Sequence, residues 1–206
     1  MNNKKSLGIG TIAAAFVLSI VAVSVSFAAY TSSLTIKGSG TVKSGKWKVV
    51  FKNLGTAVVG NDAGLTSTAT EVTAPSIVGD TSIESYNVEL KTPGDYVTYD
   101  FKISNDGDFP AKIDTGFSMP TPTCTKGASG VDSDETNVCG NLIYTLKYVN
   151  NGTEGSSVAS GDTFAVGESK NVRLKIYYKK TVTESQIPTD DVTVGNLNIT
   201  IPFVQY

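Results

Sequence analysis

The residues of this chain that could do chemistry are two cysteines and several groups of acidic side chains. Cys124 and Cys139 lie in one segment rich in Gly, Ser, Thr and Asp. In an exported protein a disulfide between them would staple this loop and stabilise it by about 3 kcal/mol through chain entropy. A redox or metal role is the weaker alternative, because the spacing is not CxxC and the chain has no histidine. We therefore predict a disulfide-stapled loop over residues 124–139.

The acidic side chains suggest a calcium site or, alternatively, solvated loop charge. They fall in three clusters: Asp106 and Asp108; Asp132, Asp134 and Glu135; Asp190 and Asp191. Carboxylate oxygens are the ligands Ca²⁺ prefers, and the middle cluster, Asp132, Asp134 and Glu135, is the weak candidate for a metal site. No EF-hand spacing supports it, so solvated loop charge is the favoured interpretation. A glycosidase would need two carboxylates at a fixed separation, which the spacing does not identify.

The complete absence of histidine narrows the function classes. Serine triads, Cys-His proteases and His-based metalloproteases all require an imidazole. We predict no catalytic residues and no cofactor. Without Lys4 and Lys5 the chain keeps 15 basic against 19 acidic residues, a surface that does not attract nucleic acid.

Period-two hydrophobic alternation predicts the elements that carry these side chains. It is clearest over Tyr96 to Ile103 and recurs over Val172 to Tyr178 and Leu197 to Phe203. Weaker strands are predicted in three further segments, Trp47 to Phe51, Tyr86 to Leu90 and Leu142 to Val149. No segment shows a clear helical period, although residues 61–71 could hold a short helix.

Turn residues separate these predicted strands. The turns are rich in Gly, Asn and Asp, which tolerate positive φ, and one of them begins with Pro, which fixes φ at the turn entry. They are Pro93-Gly94-Asp95, Asn105-Asp106-Gly107, Asn150-Asn151-Gly152 and Gly161-Asp162. Strands without intervening helices favour an antiparallel two-sheet sandwich, jelly-roll or immunoglobulin-like, over a βαβ fold. The prediction is an all-β fold with a single sandwich domain over residues 29–206.

The N-terminus predicts export. Lys4 and Lys5 precede an uncharged apolar run over residues 7–29, and Ser26 and Ala28 place small side chains where a signal peptidase requires them. We predict a signal peptide over residues 1–28, cleaved between Ala28 and Ala29. The run is also long enough to span a bilayer as an uncleaved anchor, which is the alternative.

Cleavage at this point would release an amphipathic strand. Tyr30, Leu34 and Ile36 share one face of residues 29–36, which Ser32 interrupts, and the flexible Gly38-Ser39-Gly40 follows. Such a strand could complete the sheet of a neighbouring copy, with these three side chains as its anchors. Alternatively, it pairs within its own domain as an ordinary first strand.

Two segments resemble the TasA and camelysin family of Gram-positive biofilm matrix proteins. They are PGDYVTYDFKISNDGDFPAKI, residues 93–113, and the N-terminus with its Lys-Lys pair, Leu-Gly, apolar run and Ala28-Ala29-Tyr30 junction, which is similar to signal peptides cleaved by SipW-type peptidases. Generic immunoglobulin-like surface sandwiches also contain such strand-turn motifs. The resemblance implies a jelly-roll-like sandwich, secretion and assembly into matrix fibres. It carries over no catalytic residue, and the cysteine pair departs from the family's pattern.

These observations predict a secreted structural subunit that self-associates into filaments in the extracellular matrix or at the cell surface. Cell-surface or matrix polymers are further candidate partners. Contact with a membrane is expected only through residues 7–29, if they are not cleaved. The alternative function is a membrane-held or surface-held adhesin or ligand-binding sandwich that does not polymerise.

Overall fold

The computed structural model describes residues 43–206, and residues 46–206 form one compact unit. The predicted signal peptide, the Ala28–Ala29 junction, the apolar run 7–29 and the candidate donor residues Tyr30, Leu34 and Ile36 lie outside the described residues. Among residues 43–206, no helix has the length and apolar character needed to cross a bilayer.

The described chain is mostly β-strand, as the sequence predicts. Its strands are β1 Val49–Lys52, β2 Val58–Asn61, β3 Thr70–Thr73, β4 Ser76–Val78, β5 Ser82–Glu84, β6 Asn87–Glu89, β7 Asp95–Asn105, β8 Ala111–Ile113, β9 Thr123–Lys126, β10 Leu142–Asn150, β11 Thr153–Ser157, β12 Thr163–Phe164, β13 Ser169–Tyr178, β14 Val192–Gly195 and β15 Phe203–Gln205. An α-helix, α1 Asp132–Asn141, and a 3-10 turn, Glu184–Gln186, complete the described elements. All strand pairs described here are antiparallel.

The largest sheet has six strands in the order β1-β7-β13-β10-β11, with β2 also paired to β7. β7 and β13 are its centre, and each alternates buried apolar with more polar side chains. Val97, Tyr99, Phe101 and Ile103 of β7 are at most 5% exposed, because they face the core with Val172, Leu174 and Ile176 of the neighbouring strand. The strands predicted at 96–103, 172–178 and 142–149 are confirmed.

A three-stranded sheet, β12-β8-β15, contributes to the same core. Ala111, Ile113 and Phe164 are fully buried in one hydrophobic cluster with the apolar face of the six-stranded sheet. The Phe164 and Phe203 rings meet edge to face with their centroids 5.6 Å apart. The remaining strands form three two-stranded ladders, β9-β14, β3-β6 and β4-β5.

The strand predicted over Leu197 to Phe203 is mostly wrong. Only Phe203 belongs to a strand, β15, and residues 196–202 carry no strand assignment although Leu197, Ile199 and Ile201 alternate with polar residues. A strand requires a ladder partner as well as an alternating pattern. No strand of residues 43–206 pairs with this segment.

Helix α1 is a second difference from the sequence analysis, which predicted a loop at 124–139 and a short helix only at 61–71. Residues 61–71 instead form a turn and the start of β3. Of the α1 residues, Asp134 and Val138 are buried, so the helix has no apolar stripe for a periodicity argument to find. Its signal is local: Asp132, Asp134 and Glu135 occupy the first turn, where the helix dipole favours negative charge.

Candidate functional site

Residues 93–113 are anchored near their start by Asp95. This carboxylate is fully buried and accepts hydrogen bonds from Asn61 Nδ2, Ser67 Oγ, the Thr68 backbone and hydroxyl, and the Lys91 and Thr92 backbone. Burial by itself would raise the pKa of Asp95, but the hydrogen bonds outweigh it and lower the pKa to about 2. The Pro-Gly-Asp turn therefore fixes the 61–68 loop to the start of β7.

The turn at the other end of β7 positions the N-terminal part of the described chain. Asn105 is fully buried, and its side-chain amide donates to the carbonyls of Phe109 and Phe164. Beyond it, Asp108 accepts a hydrogen bond from the Lys46 backbone at 2.7 Å. Lys46 and Lys48 in turn accept from the backbone of this turn, which holds Trp47 at the edge of the molecule, 44% exposed.

A hollow lies over part of the apolar face of the six-stranded sheet. It consists of a groove of about 860 Å³ and a smaller one of about 340 Å³ that share Val49, Val50, Thr81 and Phe203. We call the two together the trough. Side chains from four neighbouring strands form its floor: Phe51, Phe101, Ile103, Tyr144, Leu146 and Leu174. The Phe51 and Phe101 rings pack edge to face there, with centroids 5.5 Å apart.

Two chain segments form the walls of the trough. One is residues 81–86, which include β5, and the other is residues 196–202, which we call the wall segment. Trp47, Thr81 and Phe203 line the same end of the trough. Residues 81–86 start at this end and run to Tyr86, whereas the wall segment starts at the Tyr86 end, with Leu197, and runs back towards Phe203. The walls are antiparallel, so a strand laid between them would run parallel to one and antiparallel to the other.

The wall segment turns an apolar edge to the trough. Leu197, Ile199 and Ile201 are half-buried, whereas Asn196, Asn198 and Thr200 are exposed. Its backbone is held at its two ends, by the Pro202 carbonyl, which accepts from the Asp114 amide at 2.9 Å, and by the Leu197 carbonyl. Among residues 43–206, no backbone group from 198 to 201 bonds to another strand.

Two tyrosine hydroxyls join the walls at one end of the trough. Tyr86 Oη and Tyr144 Oη lie 2.8 and 2.5 Å from the Leu197 carbonyl oxygen and 2.5 Å from each other. Burial raises the pKa of both hydroxyls, so both remain protonated and available as donors. This tyrosine bridge ties residues 81–86 and the floor to the wall segment.

The predicted disulfide is present: Cys124 on β9 is bonded to Cys139 on α1, with Cα atoms 5.9 Å apart. Neither cysteine lines the trough, but Val194 of β14, which does, stands opposite Cys124 in the β9-β14 ladder. The wall segment begins immediately after β14. The disulfide and the trough are therefore connected through one short strand.

The acidic cluster next to the disulfide organises α1. Asp134 Oδ2 accepts from the Val131 and Thr189 backbone amides and from the Thr189 hydroxyl. Asp132 pairs with Lys126 Nζ, and Glu135 accepts from the Lys126 backbone. Within the described part of the chain, no group of three or more acidic or cysteine side chains is arranged to hold a metal ion. These contacts give the cluster a role in capping α1 that the sequence analysis did not assign.

Sequence reasoning missed the trough because its residues come from distant segments. No common motif joins Phe51, Tyr86, Tyr144 and Leu197. The one signal in the sequence was the alternation at 197–203, which predicted a strand and therefore a pairing partner. We compared the chain with protein-family models, with curated proteins and with solved structures, and none of the three comparisons finds a match.

Proposed function

We propose that this chain is a secreted subunit of extracellular fibres, in which residues 29–36 of one copy fill the trough of the next. The observation that carries the proposal is the trough itself, an apolar floor beside a wall segment that has a strand's pattern but no ladder partner among residues 43–206. The fold is then a two-sheet sandwich whose second layer has room for one more strand.

The chemistry of the trough suits an extended, amphipathic peptide better than a small molecule. Residues from β1, β5, β7, β10, β13 and the wall segment line the hollow, and its floor is apolar. The backbone of residues 198–201 offers donors and acceptors along one wall that find no strand partner among residues 43–206, and strand addition uses backbone groups of this kind. A strand in the trough would cover the floor with alternate side chains and pair its backbone with that wall.

Residues 29–36 match this requirement in length and pattern. Eight extended residues span about 26 Å, and seven residues, the number in the wall segment, span about 23 Å when extended. Tyr30, Leu34 and Ile36 would face the floor, and Ala29, Thr31, Ser33 and Thr35 would face outward. The Gly38-Ser39-Gly40 linker gives the strand the freedom to leave its own unit.

Head-to-tail donation of this kind builds open filaments, since each copy offers one strand and one trough. This is the function that the TasA and camelysin resemblance implies, with a matrix or cell-surface location and no catalytic step. If the strand instead fills the trough of its own chain, the same contacts form but no filament results. A surface-held binding module is then the better account.

The first test introduces a charge on the face that would meet the floor. Leu34→Asp in a chain of residues 29–206 should abolish filaments seen by negative-stain electron microscopy, because a carboxylate cannot be buried without a partner. Thr35→Asp, on the opposite face of the same strand, is the matched control and should assemble like the unmodified chain. Circular dichroism should find both variants folded.

The second test separates donation to a neighbour from pairing within one chain. A photo-crosslinking residue at position 30, in a mixture of ¹⁴N- and ¹⁵N-labelled chains, should give crosslinks to trough peptides that join one light and one heavy chain. A chain that begins at Thr41 should form no filaments. Crosslinks confined to single chains, with monodisperse particles for both lengths, would reject fibre assembly and favour the surface-held module.

A further inference from the structure

We propose that the Cys124–Cys139 disulfide is a redox lock on the wall segment, so that a dithiol reductant releases one wall of the trough. The release of the wall segment on reduction follows from the geometry of the described residues and does not depend on the proposed function. Its consequence for assembly rests on the proposed function. The two parts have separate readouts in the experiment below.

The unit that contains the disulfide has almost no core of its own. It comprises β9, α1, the 3-10 turn and β14, and of its apolar side chains only Val138 is buried. The two strands share a four-residue ladder, and an isolated two-stranded ladder is marginally stable in water. Small units without a core depend on covalent links, and the described link here is the disulfide.

This unit holds the start of the wall segment. In the ladder, Val194 lies opposite Cys124 and Gly195 opposite Thr123, and Asn196 Nδ2 then donates to the Thr121 carbonyl at 2.6 Å. On the other side of the unit, Asp134 of α1 accepts two hydrogen bonds from Thr189, one from its backbone amide and one from its hydroxyl. The strand that leads into the wall segment, β14, is therefore held on one side by its ladder with β9. The chain just before β14 is held by α1 through Thr189.

Beyond Asn196 the wall has few other attachments. The tyrosine bridge reaches only the Leu197 carbonyl, and the next backbone bond is at Pro202. Loss of the β9-β14 unit would therefore leave residues 194–201 held, among the described residues, by the Leu197 carbonyl, by the packing of Ile199 and Ile201 against the core, and by β15. Local opening of this kind does not require β7, β13 or β10 to unfold, because those strands share none of their ladders with β9 or β14.

The redox step balances with a vicinal dithiol as the co-reactant. A dithiol thiolate attacks one sulfur of the bridge, the S–S bond breaks, and a mixed disulfide forms. The second thiol of the reductant closes a cyclic disulfide and releases the protein sulfur. The two protons that the dithiol gives up finish on Cys124 and Cys139, so two electrons move from reductant to protein.

The experiment measures backbone hydrogen exchange on the chain of residues 29–206, oxidised and after treatment with dithiothreitol. We expect amide exchange over 192–201 to accelerate at least tenfold on reduction, whereas exchange in β7 and β13 stays slow. Reoxidation should restore the slow exchange. The double variant Cys124→Ser, Cys139→Ser should behave like the reduced chain without any reductant, which excludes an unrelated effect of the thiol.

Unchanged exchange over 192–201 in both the reduced chain and the double variant would overturn the lock, as would equal acceleration throughout β7 and β13. Filament yield, measured by sedimentation and electron microscopy, tests the consequence separately: the reduced chain should assemble less than the oxidised one. If neither form assembles but the exchange of 192–201 responds to reduction, the lock stands and the proposed function fails. If both forms assemble equally, the coupling to assembly is wrong.

Discussion

Strand β7 and the wall segment 196–202 have the same alternating sequence pattern and very different structures. β7 pairs with β13 on one side and with β1 and β2 on the other, and its apolar side chains are almost completely buried. The wall segment has no ladder partner within residues 43–206, and its apolar side chains are half-buried over the trough. The comparison teaches that alternation selects the face that turns inward, whereas a strand forms only where neighbouring backbone is available.

We expect the largest effect on stability from truncating an isoleucine in β7, and we compare it with the same truncation in the wall segment. Ile103→Ala in β7 should lower the free energy of unfolding by about 3 kcal/mol, because Ile103 is fully buried. Ile199→Ala in the wall segment should cost about 1 kcal/mol, since that side chain is half-buried. Urea denaturation of a chain that begins at Thr41 measures both without a donor strand present.

Although Ile199→Ala should cost little stability, we expect it to have a large effect on filament assembly. In the chain of residues 29–206, Ile199→Ala should reduce filament yield strongly, whereas Val204→Ala, at an exposed residue that does not line the trough, should not. Equal loss of stability for Ile103→Ala and Ile199→Ala would contradict the distinction between a finished ladder and an open one.

The second prediction concerns the turn that starts β7. Asp95→Asn should destabilise the chain by about 2 kcal/mol, because an amide cannot accept all the hydrogen bonds that the carboxylate receives. The folded-state pKa of Asp95 is below its ordinary value of 3.8, so its stabilisation is complete above that value. It is lost as the pH falls through about 2.

Urea denaturation at several pH values checks the sign. The difference in unfolding free energy between the Asp95→Asn variant and the unmodified chain should shrink as the pH falls from 4 to 2. A constant difference over this range would mean that the charge of Asp95 contributes nothing. The wall segment offers no buried carboxylate of this kind among its residues, so its exchange should respond less to acid than that of the 61–68 loop.

We expect the smallest effect on stability from removing a single hydroxyl of the tyrosine bridge. Tyr144→Phe should lower stability by about 1 kcal/mol, because Tyr86 can still donate to the Leu197 carbonyl. The double variant Tyr86→Phe, Tyr144→Phe should cost more than twice as much, since the carbonyl then loses both donors. Hydrogen exchange should localise the change to residues 197–201. A uniform change across the six-stranded sheet would argue against a local bridge.

Some features of the fold could be predicted from the sequence, and others could not. Val97 to Ile103 predicted a buried strand face because period-two alternation is a local property, and Asn151-Gly152 predicted a turn because both residues accept positive φ. The helix at 132–141 was missed because its stabilising features are an acidic first turn and a disulfide, not an apolar stripe. The trough was missed because Phe51, Tyr86, Tyr144 and Leu197 meet only through long-range pairing.

The sequence by itself determined the mostly β character of residues 43–206, the inward faces of the central strands and the cysteine pair. Each of these follows from the nature and spacing of residues near one another in the chain. Long-range pairing decided which alternating segment became a strand, which distant side chains line the trough and which carbonyl the two tyrosines share. Those outcomes depend on which backbone edges and side chains meet after the chain has folded, and residue spacing does not encode them.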